Sequence, residues 1–312
     1  MLNYTKLSRN PSYFRTFTGL KLDEFNALYH KINETHTEHE KKRLHRENRK
    51  RRIGAGHPFK LTLRDRLIML LAYHRLYVSS TLLGYLFNLS QSNVLKNIRM
   101  LEPQMKDVLP LPSKIHKRVR KLTNLDDLEE LFPGLKAFLD ATEQEIPRPG
   151  DRERRRTHYS GKKKRHTVKT QITLNAEGLI LHKTQHARGS RHDYSLFKWR
   201  HPWIPEGVRL GVDLGYDGIK GDYPWLDVLI PFKRRSPGRG KRGVKAKGLT
   251  VEEKEFNRLL SGERAVVENV FSRLKKFRVW GGEFRNRLCH YDDMTDIVCG
   301  LVNFRLLGVS SL

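Results

Sequence analysis

Asp140, Asp213 and Glu268 are carboxylates placed at predicted element ends or on an element face of a chain that is otherwise strongly basic. Acidic groups gathered from different elements can hold two Mg²⁺ ions about 3.5–4 Å apart and so support in-line attack on a phosphodiester. The trio therefore predicts a metal-dependent nuclease core. Such chemistry needs elements that present the acids together, a partner that carries phosphates, and a surface that holds this partner.

The partner is suggested by charge. Lys and Arg number 61 against 34 Asp and Glu, a formal net charge of +27, which implies a polyanion and nucleic acid first. The basic residues come in runs: KKRLHRENRKRR within Glu40 to Arg52, RERRR and KKKR within Asp151 to Arg165, and KRRSPGRGKRGVKAK from Lys233 to Lys247. These read as linkers or DNA-facing loops, with a solvated helix face as the plainer alternative, best suited to the first run. Pro237, Gly238, Gly240 and Gly243 predict a flexible loop for the third, whose unbalanced charge would be costly unless phosphates approach it. No apolar run approaches the roughly 20 residues of a spanning helix, and MLNYTKLSRN lacks the apolar region of a signal peptide. A cytoplasmic, nucleoid-associated chain is expected. Cys289 and Cys299 make no disulfide framework and no paired zinc-ligand motif, and read as plain core or helix residues.

From Leu61 to Leu101 the pattern is helical throughout. Thr62 is a candidate cap, with Leu63, Leu67, Leu70 and Leu71 on one face, and a shorter helix follows from about Thr81 to Phe87. Asn88 can take the left-handed turn conformation, and Ser90 can cap a next helix whose apolar side is Val94, Ile98 and Leu101. Two helices joined this way make a helix-turn-helix. The other face of the second helix, Gln91, Ser92, Asn93, Lys96, Asn97 and Arg99, is rich in groups that hydrogen-bond bases or phosphates. That face is the candidate DNA-binding surface; an ordinary helical hairpin is the alternative.

After Gly134 the periodicity shifts to strands. GLKAFLD predicts a strand ending on Asp140, HTVKTQITLNAEGLILHKTQ two strands joined by a turn at Asn175 to Gly178, VRLGVD a strand ending on Asp213, and DVLIPF another. Asp193 to Arg200 predicts a short helix and Thr250 to Phe277 a long one. In the latter, Thr250 and Glu253 form a capping box, Phe256, Leu259, Leu260, Val267, Val270, Phe271 and Leu274 supply an apolar stripe, and Ser261-Gly262 suggests a break or kink. At 100° per residue, Arg264, Glu268 and Lys275 fall within a roughly 40° sector beside that stripe. An i,i+4 surface ion pair is the plain reading of such spacing. A mixed sheet with one long C-terminal helix is consistent with an RNase H-like fold, a pattern shared with other α/β folds.

Several residues carry two readings. His192 and Asp193 invite a catalytic role, although a cap at the start of the Asp193 helix accounts for Asp193 equally well. Asp217 and Asp222 lie close enough to Asp213 to compete with it, but fall in the turn beyond the strand. Trp199, Trp203, Trp225 and Trp280 could stack on flipped bases, with core packing the favoured use of each.

Taken in order, FTGLKLDEFNALYHKI, a basic stretch, LTLRDRLIMLLAYHRLYVSSTLLGYLFNLSQSNVLKNI, FLDATEQ, GSRHDYSLFK, VDLGYDGI and RAVVENVFSRLKKF resemble the DDE transposases of bacterial insertion sequences. The likeness is to the insertion-sequence-five group, related to the eukaryotic Harbinger elements, and covers nearly the whole chain. It implies that Asp140, Asp213 and Glu268 are the catalytic and metal-holding triad, with Arg264 and Lys275 holding phosphates near it. It also implies two Mg²⁺ ions, with Mn²⁺ as a substitute, that activate water or a 3′-hydroxyl and stabilise the leaving oxygen without a covalent intermediate. Related groups place Tyr three residues before that Arg, whereas this chain has Ser261.

The expected fold is thus α/β, an RNase H-like catalytic domain preceded by an all-α helix-turn-helix DNA-binding domain. Its divisions are 1–52, a helical segment and basic linker; 53–125, the helix-turn-helix; and 126–312, the catalytic domain. Expected partners are double-stranded DNA, as element ends and target, and further copies of the chain, as a homodimer or larger assembly. A DNA-binding regulator derived from a transposase, and a metal-dependent nuclease without strand transfer, are the competing expectations.

Overall fold

The computed structural model describes residues 1–48, 50, 52, 55–234 and 248–308. These belong to two units, residues 1–111 with 273–312, and residues 112–272.

The first unit is helical among its described residues: Tyr4–Leu7, Pro11–Thr18, Leu22–Leu44, Leu63–Leu76, Ser80–Phe87, Gln91–Val108, Arg278–Gly281 and Tyr291–Leu307. Hydroxyl caps start three of these. Thr62 Oγ1 accepts from the Asp65 N–H at 3.1 Å, Ser79 Oγ from Leu82 at 3.2 Å and Ser90 Oγ from Asn93 at 3.4 Å, each worth about 1 kcal/mol. The helix Ser80–Phe87 stops at Asn88, whose φ of 53° is left-handed, as the sequence predicts. Gly84 is required in that helix, because a Cβ there would lie 2.5 Å from the Leu89 carbonyl oxygen, where the turn folds back. Val94, Ile98 and Leu101 are buried on the following helix, which continues to Val108. The helix Leu63–Leu76 differs from its one-sided expectation: every residue from Asp65 to His74 is buried. Helices pack on it from several sides, Pro11–Thr18, Gln91–Val108 and Arg278–Gly281 among them, so its polar side is enclosed as well. The first basic run begins on Leu22–Leu44, where Arg43 pairs with Glu40 at 2.7 Å; residues 49 and 51 lie outside the described residues.

The second unit is built on a sheet that has seven strands among the described residues. They are β1 (Lys136–Glu145), β2 (Tyr159–Ser160), β3 (Arg165–Asn175), β4 (Ile180–Lys183), β5 (Ala187–Arg188), β6 (Arg209–Gly211) and β7 (Val228–Leu229). The order is β2-β3-β1-β6-β7, with β4 and β5 also pairing with β3. Strands β1 and β3 are antiparallel, whereas β1, β6 and β7 are parallel neighbours. With helices in the same unit, this mixed sheet is of the α/β class.

Two strand expectations change. β1 does not end on Asp140, which faces Ile172 in mid-ladder, since pairing with the long strand β3 carries on to Glu145↔Thr167. Backbone pairing, rather than the polarity of the ATEQE side chains, decides where that strand stops. The DVLIPF segment pairs only over Val228–Leu229. The turn after β3 forms as expected, with Asn175 Oδ1 accepting from the N–H groups of Glu177 and Leu179.

The long helix spans Val251–Lys275. Its capping box is present: Thr250 Oγ1 accepts from the Glu253 N–H at 3.2 Å, and Glu253 Oε2 from the Thr250 N–H at 2.9 Å. The helix runs unbroken through Ser261-Gly262. A helical glycine costs about 1 kcal/mol, whereas each buried apolar side chain of the stripe contributes roughly 1.5–3 kcal/mol, so the stripe wins. Leu260, Val267, Val270, Phe271 and Leu274 of that stripe are buried. Among the described residues, no helix is long and apolar enough to cross a membrane.

Candidate functional site

Strands β1 and β6 run side by side and parallel, with Phe138 opposite Gly211. Asp140 and Asp213 each lie two residues past that rung, so the pairing itself draws them to one end of the parallel ladder. Asp213 follows the strand rather than ending it, and its Oδ1 accepts from the Gly215 N–H at 2.9 Å, capping the short turn Leu214–Tyr216. A Cβ on Gly215 would stand 2.9 Å from Asp213 Oδ1 and 3.4 Å from Asp193 Oδ2. Glycine here makes room for two carboxylates.

Asp193 opens the helix Asp193–Arg200, but makes no cap; His192 holds the cap position without a side-chain bond. Instead Asp193 Oδ1 accepts from Lys169 Nζ at 2.7 Å. Lys169 is buried in β3, donates also to the Arg191 carbonyl at 2.7 Å, and stands 3.6 Å from Glu143 Oε1, opposite it in the β1–β3 ladder. A lysine inside the strand segment HTVKTQITL needs a counter-charge, and this was the signal that could have separated the two readings of Asp193.

Electrostatics ties the acids together. Burial pushes the Asp140 carboxyl up to about 6, with the negative charges of Asp213 and Asp193 adding to it; the Ala141 N–H and Arg264 act the other way. Arg264 reaches across from the long helix, its Nη2 3.5 Å from Asp140 Oδ2. The Tyr216 phenol, bonded to Gln171 Oε1 at 3.2 Å, is driven well above its ordinary range by burial and then by the charges of Asp140, Asp193 and Asp213. Such crowding of like charge is what a divalent cation relieves.

Glu268 stands apart from this group. It is exposed, one helical turn beyond Arg264, and is not among the charges that shift Asp140 or Tyr216. Among the described residues, no three His, Cys, Asp or Glu side chains are arranged to hold a metal ion. Lys275 ends the same helix and is exposed. Asp217 and Asp222 are engaged elsewhere, Asp222 with Lys198 and Tyr194, and Asp217 at 3.9 Å from Lys233.

On the second helix of the helix-turn-helix, Gln91, Ser92, Asn93, Lys96 and Arg99 are exposed. Asn97 corrects the expectation. It is buried, accepts from Arg66 Nε at 2.6 Å and donates to the Asn93 carbonyl at 2.7 Å, so it serves the helix packing rather than the surface. A cavity of about 480 Å³ joins Ser92, Lys96 and Arg99 to His39, Glu40 and Arg43 of Leu22–Leu44, a contribution the sequence did not reveal. Trp280 is buried as expected, but Trp199, Trp203 and Trp225 are not core residues; the Arg191 and Arg200 guanidinium groups both stack over the Trp199 ring, at 4.6 and 4.4 Å. Of the two cysteines, Cys299 is buried and Cys289 exposed. The third basic run lies outside the described residues from 235 to 247.

One unit thus carries a helix-turn-helix, and the other a pair of electrostatically coupled carboxylates on a mixed sheet. Residues 139–303 match the DDE superfamily endonuclease family, and residues 59–111 match the helix-turn-helix of DDE superfamily endonuclease. The chain belongs to the DDE superfamily of endonucleases. It is 29% identical over 259 residues, 82% of its length and 86% of the relative's, to a protein of Microchaete diplosiphon named as a transposase for insertion sequence element IS702. A Streptomyces albus G protein, named as a transposase for insertion sequence element IS112, is 26% identical over 275 residues, 86% of each chain. No solved structure matches. Endonucleases of this superfamily generally use divalent metal ions.

Proposed function

We propose that this chain is a transposase that binds the ends of its insertion sequence, hydrolyses a DNA strand to free 3′-hydroxyls, and joins these to target DNA. The observation that carries the reading is the pairing of Asp140 and Asp213 at one end of adjoining parallel strands, where burial and like charge push Asp140 up to about 6.

The donor set fits Mg²⁺, with Mn²⁺ as a substitute, because it is all carboxylate oxygen and Asp140 stays pushed up by burial and by its acidic neighbours even with Arg264 beside it. Asp140 and Asp213 would hold the metal, with Glu268 contributed from the long helix. Bound there, two such ions supply Lewis acidity and an activated water or 3′-hydroxyl. The chain's own groups do the positioning. The Gly215 N–H fixes the Asp213 carboxylate, and Arg264, beside Asp140, offers its fork of donors to a phosphate. Lys275, on the same sector of the helix, adds a second cation for the DNA backbone. Gln91, Ser92, Asn93, Lys96 and Arg99 contact the element end in the major groove.

The strand order, an antiparallel β4-β3-β1 set followed by parallel β6 and β7, supports an RNase H-like catalytic domain. Residues 1–52, 53–125 and 126–312 are taken as functional segments along the chain. Joining two ends calls for a dimer or larger assembly on DNA, and the setting is the bacterial cytoplasm.

The test is cleavage of a labelled duplex carrying the gene's own flanking DNA, with Mg²⁺ or Mn²⁺, comparing wild type with Asp213→Asn. Metal-dependent cuts at the element boundary and joined products, both lost in the variant while binding persists, support transposition. Cuts without joined products reassign the chain as a nuclease. Specific binding without cuts, with paired ends supplied, reassigns it as a regulator.

A further inference from the structure

The second unit carries another basic site, away from its carboxylates. Arg148, Arg152, Arg155, Tyr159 and His166 line an open cleft of about 500 Å³, and no acidic side chain is among them. Arg152 and Arg155 lie one turn apart on the helix Arg152–His158, Tyr159 begins β2, and His166 faces Tyr159 across the β2–β3 ladder. Strand pairing thus holds the aromatic wall. The Tyr159 and His166 rings meet edge to face, with centroids 5.6 Å apart, and Tyr159 stays 42% exposed. Of the flanking acids, Asp151 accepts from the Arg154 N–H at 2.8 Å and Glu145 pairs with Arg165 at 3.3 Å, while Glu153, on the same helix, does not line the cleft. Arg155 Nε is buried and lacks an acceptor among the described residues, an arrangement that is costly until an oxygen arrives.

We propose that this cleft binds a DNA strand, taking successive backbone phosphates on Arg148, Arg152 and Arg155 and one unstacked base against Tyr159. Guanidinium forks match phosphate oxygens, and a basic groove with an accessible aromatic ring is how single-stranded nucleic acid is held without regard to sequence. From Asp140 to the end of β1 the strand covers about 17 Å, and DNA offers a phosphate about every 3.4 Å along each strand. Along paired DNA that reach is about five base pairs from a phosphodiester at Asp140, and an opened, extended strand crosses it in fewer nucleotides. The inference rests on the reading of this chain as a DNA-cutting enzyme.

The test uses the full-length chain without divalent metal and two probes, a paired duplex and the same duplex with five unpaired nucleotides carrying 5-iodouracil. Photocross-linking is expected at Tyr159 with the unpaired probe. Tyr159→Ala should weaken binding of that probe roughly 5- to 150-fold while leaving the paired duplex unchanged, and Tyr159→Phe should retain wild-type binding. The combined Arg148→Gln, Arg152→Gln and Arg155→Gln variant should flatten the salt dependence by about 2 in log–log slope. Equal binding by Tyr159→Ala and wild type, or displacement of the probe by inorganic phosphate or phosphatidylglycerol vesicles at matched ionic strength, would overturn the proposal. Because no step requires cleavage, absence of cutting by wild type counts against the transposase reading alone. Cutting with unaltered binding in Tyr159→Ala counts against the cleft alone.

Discussion

Both units bury charged side chains, and they treat them in opposite ways. In the helical unit Arg66 is 1% exposed, with its guanidinium 3.8 Å above the Phe59 ring and its Nε on the Asn97 amide oxygen. Burial lowers its pKa to about 10 against the opposing pull of the Glu40 carboxylate, and its direct contacts are the Asn97 amide and the Phe59 ring. In the sheet unit Asp140, Asp213 and Asp193 are gathered within electrostatic reach of one another, and Arg264 stands 3.5 Å from Asp140. A charge held on an amide and a ring, with a carboxylate nearby, serves packing. Like charges held together oppose folding, a cost that Arg264 and Lys169 offset in part and that a bound cation would relieve further.

The contrast breaks most visibly in activity. Asp213→Asn should lower metal-dependent cleavage on the order of 10³-fold, about 4 kcal/mol of barrier, without weakening DNA binding. Cleavage within tenfold of wild type would remove Asp213 from the site.

Stability offers a finer comparison. The folded Asp140 pKa of about 6 lies above its ordinary 3.8, so its protonated form favours the fold. That contribution is complete below about pH 4 and is lost as pH rises through about 6. Asparagine mimics the protonated form. Without metal, Asp140→Asn should therefore be more stable than wild type by about 2 kcal/mol at pH 8, and nearly equal to it at pH 3.5. Urea unfolding at the two pH values measures this, and a variant less stable at pH 8 would show that burial and like charge at Asp140 are not a cost there.

In the helical unit the sign should reverse. Arg66→Met strands the Asn97 oxygen and should cost about 1–3 kcal/mol at any pH between 6 and 8, whereas adding Asn97→Leu should recover part of it. A double variant worse than the single one would mean that Arg66 acts through its charge. The smallest effect is at the surface. Lys96→Gln with Arg99→Gln should reduce the log–log salt slope of duplex binding by about 1.8 and leave the unfolding midpoint unchanged.

Local elements were largely legible. The caps at Thr62 and Ser90, the left-handed Asn88 and the Thr250–Glu253 box depend on neighbours within a few residues, and each stands where its residue type predicts. Asn97 was not legible, because its burial depends on Arg66 from another helix. The end of β1 was misplaced for the same reason, since it is extended by pairing with β3 as far as Glu145↔Thr167. The tryptophans Trp199, Trp203 and Trp225 illustrate the limit of composition: a large apolar ring predicts a core only where the fold has room to enclose it.

By itself, the sequence determined what short-range physics decides: the basic character, the helix-turn-helix, the strand segments and the candidate acids. Tertiary structure alone decided which acids meet. Parallel pairing of β1 with β6 sets Asp140 beside Asp213, and Lys169 on β3 draws in Asp193, whereas Glu268 stays on the exposed side of its helix. These are contacts between residues far apart in the chain, and no local pattern encodes them, because their energy exists only once the sheet has closed.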